Sequence, residues 1–298
     1  MSDDWVSQKE RGTPFALRLI LWIAQHLGRG FARLFLYPIT LYFLLMAKPQ
    51  RIASQQYLSR ILGRPATLSD VARHIHCFAA TILDRVFLLA DRSSEFEIKR
   101  HHPEEVYNLI DQGQGCLLLG AHLGSFEVLR APAINECKLP LKILMYPNHN
   151  EQISKIFMGL NPEVAETVLP LGEMDTMLRV ADAVAEGKAV AMLGDRTIGS
   201  EKSVDCRFLG QTAKFPAGPM LLASVLKVPV IFFVGLHMGG NRYELYFEKL
   251  ADQVVVDRKQ RDADLQKWIQ RYADRLDYYA HKAPYNWFNF YNFWDGDA

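Results

Sequence analysis

Two residue types that can share a proton stand five positions apart in this chain. His122 and Glu127 lie in the stretch Gly120-Ala121-His122-Leu123-Gly124-Ser125-Phe126-Glu127, directly after the apolar run Cys116-Leu117-Leu118-Leu119. A neutral imidazole is the commonest side chain for taking a proton near neutral pH, and a nearby carboxylate fixes its tautomer and stabilises the imidazolium that forms. On one continuous helix, residues five apart point about 140° apart, because each residue turns about 100°. The pair therefore meets only if His122 sits in a loop or cap and Glu127 in the first turns of the following helix, with Gly120 and Gly124 permitting the tight approach. The plainer alternative is a histidine capping a helix and a glutamate placed favourably near its N-terminus.

A second polar cluster follows another apolar run, in Ala189-Val190-Ala191-Met192-Leu193-Gly194-Asp195-Arg196. Ligand and catalytic groups of α/β sheets gather at the carboxyl ends of strands. If the two strands are parallel, His122, Glu127, Asp195 and Arg196 converge. Arg196 then supplies a fixed positive charge for a phosphate or a developing oxyanion, and Asp195 holds Arg196 or binds acceptor hydroxyls. The plainer alternative is an Asp-Arg turn with a surface ion pair. Downstream, Phe208-Leu209-Gly210-Gln211 and Phe215-Pro216-Ala217-Gly218-Pro219 read as a loop entering a helix at Pro216. Phe208 and Phe215 are expected to line a groove for an acyl chain, or else to be ordinary core aromatics.

The elements that must position these groups follow from hydrophobic periodicity. Strand-like apolar runs cover residues 116–119, 141–146, 167–171, 189–193 and 228–234, with an alternating run at 242–250. Helical stretches fall between them, at 124–136, 150–159, 173–186 and 216–226, with an amphipathic helix at 262–281. Alternation of strand and helix predicts an α/β fold with a central mixed, largely parallel sheet flanked by helices. An amphipathic helix is predicted over 67–90, with Thr67-Leu68-Ser69-Asp70 offering capping side chains. His74 and His76 on that helix, and His101-His102 in a predicted loop before Pro103, read as structural. The C-terminal segment from Tyr285 to Trp294 is an aromatic tail.

Composition narrows the class. The formal net charge of +1 argues against a nucleic-acid-binding protein. Four scattered cysteines with no Cys-x-x-Cys pair read as buried thiols in a reducing compartment. From Arg11 to Ser69 there is no Asp or Glu, while Arg11, Arg18, Arg29, Arg33, Lys48, Arg51, Arg60 and Arg64 alternate with Leu, Trp, Tyr and Phe. A basic, aromatic, apolar segment suits an anionic membrane surface. Residues 1–66 thus read as an uncleaved membrane-anchor region that lies on the bilayer, spans it or re-enters it, and residues 67–298 as the α/β domain. A helical hairpin in a soluble core is the alternative.

Taken together, Gly-x-His-x4-Glu after a strand, a strand ending in Asp195, the Phe208-Leu209-Gly210 and Pro216-x-Gly218-Pro219 segments, the aromatic tail led by Pro284 and the basic apolar N-terminus resemble the late acyltransferases of lipid A biosynthesis. These belong to the wider glycerolipid-type acyltransferases with His-x4-Asp/Glu. The resemblance implies an enzyme at the cytoplasmic face of the bacterial inner membrane. It would move a fatty acyl group from an acyl carrier protein or coenzyme A thioester to a lipid hydroxyl, with no cofactor beyond that co-substrate and no metal. In this frame His122 is the general base and Glu127 orients it. Arg196, or backbone N–H groups near Gly124 and Ser125, stabilises the oxyanion, and Asp195, Asn148, Phe208, Gly210 and Pro216 contribute to substrate binding. Ser125 lacks the Gly-x-Ser-x-Gly elbow of a nucleophile.

Two departures are visible. The family commonly carries an arginine after the histidine block, yet Tyr146-Pro147-Asn148-His149-Asn150 occupies that region and no Arg occurs between Arg130 and Arg179. Arg196 follows Asp195 where lipid A enzymes usually have a neutral amide. The acceptor class therefore extends to glycolipids and other lipids. Three rivals come from other classes, of which a soluble nucleotide-binding α/β protein is disfavoured because neither Gly-x-Gly-x-x-Gly nor a phosphate-loop lysine motif is present. A metal-dependent hydrolase would use His122, Glu127, His149 and Asp195 as ligands, and a catalytically inactive lipid-binding protein would consume no thioester.

Overall fold

The computed structural model describes residues 14–130, 139–146, 166–197 and 201–294. Its centre is a seven-stranded sheet in the order β1-β9-β8-β2-β5-β3-β4. The strands are β1 (Glu97–His101), β2 (Cys116–Gly120), β3 (Leu141–Met145), β4 (Val168–Pro170), β5 (Ala189–Leu193), β8 (Val230–His237) and β9 (Arg242–Ala251). β8, β2, β5, β3 and β4 run parallel, while β9 lies antiparallel to β8 and carries β1 parallel to itself. The mixed, largely parallel sheet expected from the apolar runs is present. β2 is buried at all five positions, as a strand covered on both faces should be.

The alternation of side chains across the sheet divides the core. Leu117, Leu119, Val190 and Phe232 point to one face, where they meet α3 (Lys48–Ile61), the first turns of α4 (Leu68–Leu89), α7 (Gly218–Leu226) and α8 (Arg261–Lys282). Cys116, Leu118, Ala189, Ala191, Ile231 and Phe233 point to the other, towards Val106 of α5 (Glu104–Asp111) and Leu129. α6 (Thr176–Ala185) adds Val180, Ala183 and Val184 to the first face.

The predicted helix over 67–90 is α4. Thr67 Oγ1 accepts the Asp70 N–H, and the Asp70 carboxylate accepts the Thr67 N–H, a reciprocal cap. Asp70 also receives Arg64 and the Tyr285 hydroxyl, so the start of α4 is tied to the aromatic tail.

Three sequence expectations differ from the structure. First, α1 (Pro14–Leu34) is broken at Gly28, whose φ of 81° lies outside the helical region, and α2 (Leu36–Met46) has only 11 residues. At 1.5 Å per residue α2 covers about 16 Å, half of a ~30 Å hydrocarbon core. Among the described residues no helix is long and apolar enough to cross a membrane. Second, residues 203–216 form a hairpin, β6 (Ser203–Phe208) and β7 (Gln211–Pro216), rather than a loop. Gln270 of α8 bonds both the N–H and the C=O of Arg207, which covers that edge. Pro216 closes β7, and the proline that starts α7 is Pro219, after the N-cap Ala217. Third, His101 ends the edge strand β1 and stacks on Tyr246. The helix expected over 150–159 lies outside the described residues.

His74 is structural, as its sequence position suggests. Fully buried, it accepts the Ser54 hydroxyl at Nδ1 (2.8 Å) and donates from Nε2 to the Trp287 carbonyl (2.8 Å). Burial brings its pKa down from 6.5 to about 4. An unfolded chain binds a proton there below about pH 6.5 that the native chain refuses. Stability is therefore complete above that pH and is lost as pH falls towards 4, on the order of 3 kcal/mol in all. Urea midpoints measured at pH 7.5, 5.5 and 4.5 are expected to fall in that order, with a smaller slope in a His74→Gln variant. A midpoint unchanged by pH would contradict the neutral buried imidazole.

Candidate active site

β2 and β5 are direct neighbours in parallel register, with Gly120 opposite Leu193. The Gly194 N–H donates to the Gly120 carbonyl (3.0 Å), so the pairing continues one step past the strands. Two residues beyond the last matched pair, the chains present His122 and Asp195. His122 Nδ1 lies 2.7 Å from Asp195 Oδ1, and the His122 backbone N–H points at both carboxylate oxygens (3.0 and 3.1 Å). Oδ2 further accepts Trp287 Nε1–H (3.1 Å) and Asn289 Nδ2–H (2.9 Å).

This arrangement fixes the chemistry of the imidazole. The proton sits on Nδ1, facing the carboxylate, and Nε2 keeps its lone pair. The His122 side chain is 28 % exposed while that of Asp195 is fully buried. Burial pushes the Asp195 carboxyl up, but His122, Arg196 and Asn289 outweigh it and bring it down to about 2. Burial and the Arg196 charge push His122 below its ordinary value, against the opposing pull of Asp195. The pair is therefore a neutral base beside an ionised carboxylate at neutral pH.

The partner of His122 differs from the sequence expectation. Glu127 does not reach the imidazole; it opens the helical turn after the site and is buried among arginines. Arg130 binds it through Nε (2.7 Å) and an Nη (2.8 Å), and Arg85 of α4 adds a third contact (2.9 Å). Two guanidiniums that offer parallel donors satisfy the carboxylate more fully than one imidazole. Burial raises the Glu127 pKa, yet Arg130 and Arg85 outweigh it and hold it below the usual range. Asp195, expected to bind Arg196 or acceptor hydroxyls, takes the orienting position instead.

The remaining sequence candidates separate into those near the pair and those elsewhere. Gly124 and Ser125 lie two and three residues after His122, but their N–H groups are occupied by the Asn286 carbonyl (2.8 Å) and the Gly235 carbonyl (2.8 Å). Neither amide is available for an oxyanion. Gly124 has φ +75°, and a Cβ there would overlap the Gly235 carbonyl, so only glycine permits this crossing of β8. Ser125 Oγ is buried with no hydrogen-bond partner among the described residues. Arg196 directs Nε to Asn289 Oδ1 (2.6 Å) and an Nη to the Phe288 carbonyl (3.0 Å).

Phe208 and Phe215 are fully buried, stacked edge-on at 5.6 Å, with Phe208 also against Trp287. They belong to the core and line no groove. Gly210 occupies the exposed β6–β7 turn with φ 78°, and Pro216 is the buried end of β7. Asn148 and His149 lie outside the described residues. Among the described residues, no group of three or more His, Cys, Asp or Glu side chains is arranged to hold a metal ion.

Residues 286–289 were not identified from the sequence. They run beside the site, with the Phe288 N–H on the His122 carbonyl (2.8 Å) and the Gly124 N–H on the Asn286 carbonyl. Asn286 also pairs with both backbone groups of His237 at the end of β8. The only signal was the aromatic composition of the tail, which names no contact.

No curated protein sequence matches this chain. The family model described as bacterial lipid A biosynthesis acyltransferase matches residues 7–295. That match takes in β2 with the His122 block, β5 with Asp195 and residues 286–289 beside them. The resemblance read from those motifs thus extends over nearly the whole chain, and the protein belongs to the bacterial lipid A biosynthesis acyltransferase family and is an acyltransferase.

Proposed function

We propose that this acyltransferase carries a fatty acyl chain from an acyl carrier protein or coenzyme A thioester to a hydroxyl of a lipid A-like, glycolipid or other lipid acceptor. The observation that carries the reading is the 2.7 Å contact between His122 Nδ1 and Asp195 Oδ1, which leaves Nε2 as the basic nitrogen of a partly exposed ring. Nε2 takes the proton of the acceptor hydroxyl as its oxygen attacks the thioester carbonyl. Asp195 stabilises the imidazolium. The tetrahedral intermediate collapses, the C–S bond breaks, and the imidazolium returns the proton to the leaving thiolate. The positive charges that depress His122, Arg196 first and Arg85 after it, favour the transient oxyanion. No acyl-enzyme and no cofactor enter this scheme.

We place the reaction at the cytoplasmic face of the bacterial inner membrane, with residues 1–66 as the docking region and 67–298 as the acyltransferase domain. The support is chemical. Residues 11–69 hold no acid, and Trp22, Phe31, Tyr37, Leu41, Leu45 and Met46 are exposed on α1 and α2. An apolar face of this kind beside arginines suits the interface of an anionic bilayer.

The test uses the full chain with anionic vesicles, a labelled acyl thioester and a lipid extract. Label is expected in an alkali-labile lipid ester, with one thiol released per ester formed. Free fatty acid as the sole product would replace transfer by hydrolysis, and no thiol release would leave a lipid-binding protein. The chain is also expected to sediment with the vesicles, and recovery in the supernatant at all salt concentrations would end the docking reading.

A further inference from the structure

Three hydrogen bonds join residues 287–289 of the aromatic tail to His122 and Asp195. Asp195 Oδ2 takes two side-chain donors besides the His122 backbone N–H, and both come from the 286–289 segment: Trp287 Nε1–H and Asn289 Nδ2–H. Asn289 is bifunctional, since its Oδ1 accepts Arg196 Nε while its Nδ2 donates to Asp195. Trp287 is seated from three sides. Its carbonyl accepts His74, which is held in turn by Ser54 of α3. Its ring packs on Tyr57, Phe208 and Phe293. The Tyr57 hydroxyl binds the Pro284 carbonyl (2.8 Å), three residues upstream. A side chain fixed so thoroughly aims its N–H at one point, and that point is the carboxylate of the pair.

We propose that Trp287 and Asn289 are positioning residues that hold the Asp195 carboxylate and, by drawing on its negative charge, set the basicity of His122. The inference rests on the functional reading above for its kinetic consequence but not for its effect on the pair. A carboxylate that gives two lone-pair sites to neutral donors attracts an imidazolium less strongly than one that does not. Removing a donor therefore strengthens the hold of Asp195 on a protonated His122. The other charges acting on the ring are Arg196, beside Asp195 at the end of β5, and Arg85 of α4. Arg85 is partly neutralised by Glu127, itself paired with Arg130. None of these carries the Trp287 N–H as a partner, so a substitution there changes the carboxylate first.

The experiment follows the His122 ring protons by NMR in the full, detergent-solubilised chain, beside the pH profile of kcat/KM. Trp287→Phe keeps an aromatic ring in the seat and removes only the N–H. The His122 midpoint is expected to rise by about half a pH unit or more, and the acid limb of the profile to move with it. Asn289→Ala is expected to shift both in the same direction, and it carries the test if Trp287→Phe does not fold. A merely structural tail would lower the yield of folded chain and leave the midpoint in place. An unshifted His122 titration in folded variants overturns the proposal. A shifted titration with an unshifted profile supports it and instead removes His122 from the role of base.

Discussion

Asp195→Asn is expected to lower kcat/KM for acyl transfer by about 10²–10⁴-fold in folded protein. Four donor groups converge on this carboxylate: the His122 backbone N–H, His122 Nδ1–H, Trp287 Nε1–H and Asn289 Nδ2–H. An amide presents one acceptor oxygen and one NH2. Turned towards Nδ1, the NH2 donates to it and moves the ring proton to Nε2, which destroys the base. Turned towards the tail, it confronts two donors and leaves them unsatisfied, at about 1–3 kcal/mol each. The sidechain amide thus fails in either orientation. His122→Gln removes the proposed base and is expected to cost at least as much. Circular dichroism and gel filtration would establish the folded fraction before rates are compared. Turnover within a few-fold of the unaltered enzyme in folded Asp195→Asn would show that the pair does not act as drawn.

Glu127→Gln is expected to act through stability rather than chemistry. The carboxylate is 1 % exposed and neutralises Arg130, whose side chain is 7 % exposed, and in part Arg85. Removing the acid leaves guanidinium charge buried without its counter-ion, an event that typically costs about 3–5 kcal/mol. The unfolding midpoint should fall accordingly, while the kcat of the fraction that remains folded stays within about tenfold, because Glu127 makes no contact with His122. Pairing the change with Arg130→Met should recover part of the loss, since both charges then leave together. A stable Glu127→Gln protein that has lost all turnover would return the glutamate to the catalytic role that the His-x4-Glu spacing suggests.

The contrast between these two acids shows what the sequence made legible. The apolar runs at 116–119 and 189–193 marked β2 and β5, because buried parallel strands are continuously hydrophobic and each ends in glycine followed by polar residues. Their convergence was legible too. The choice of partner for His122 was not. Glu127 is near in sequence, but Arg130 one turn later and Arg85 on another element outbid the imidazole for it, and neither contact has a spacing signature. The hairpin at 203–216 was hidden for a related reason: one face only is buried, and its outer edge is satisfied by Gln270 rather than by another strand. In the basic N-terminal segment, Arg29 belongs to the fold instead of the surface, since Asp84 binds it through two contacts and Tyr243 caps that acid. Charge counting cannot separate such an arginine from its exposed neighbours.

The contacts around Asp195 also bear on how the enzyme comes into being. His122 and Asp195 are 73 positions apart, Trp287 and Asp195 are 92, and His74 and Trp287 are 213. Closing loops of that length is entropically costly and slow relative to local helix formation. Early, partly folded species would contain α4 or the β8–β9 pair and still lack every bond to the carboxylate. Activity is thus a late event on the folding path, and recovery of turnover after dilution from denaturant should lag behind recovery of helical signal.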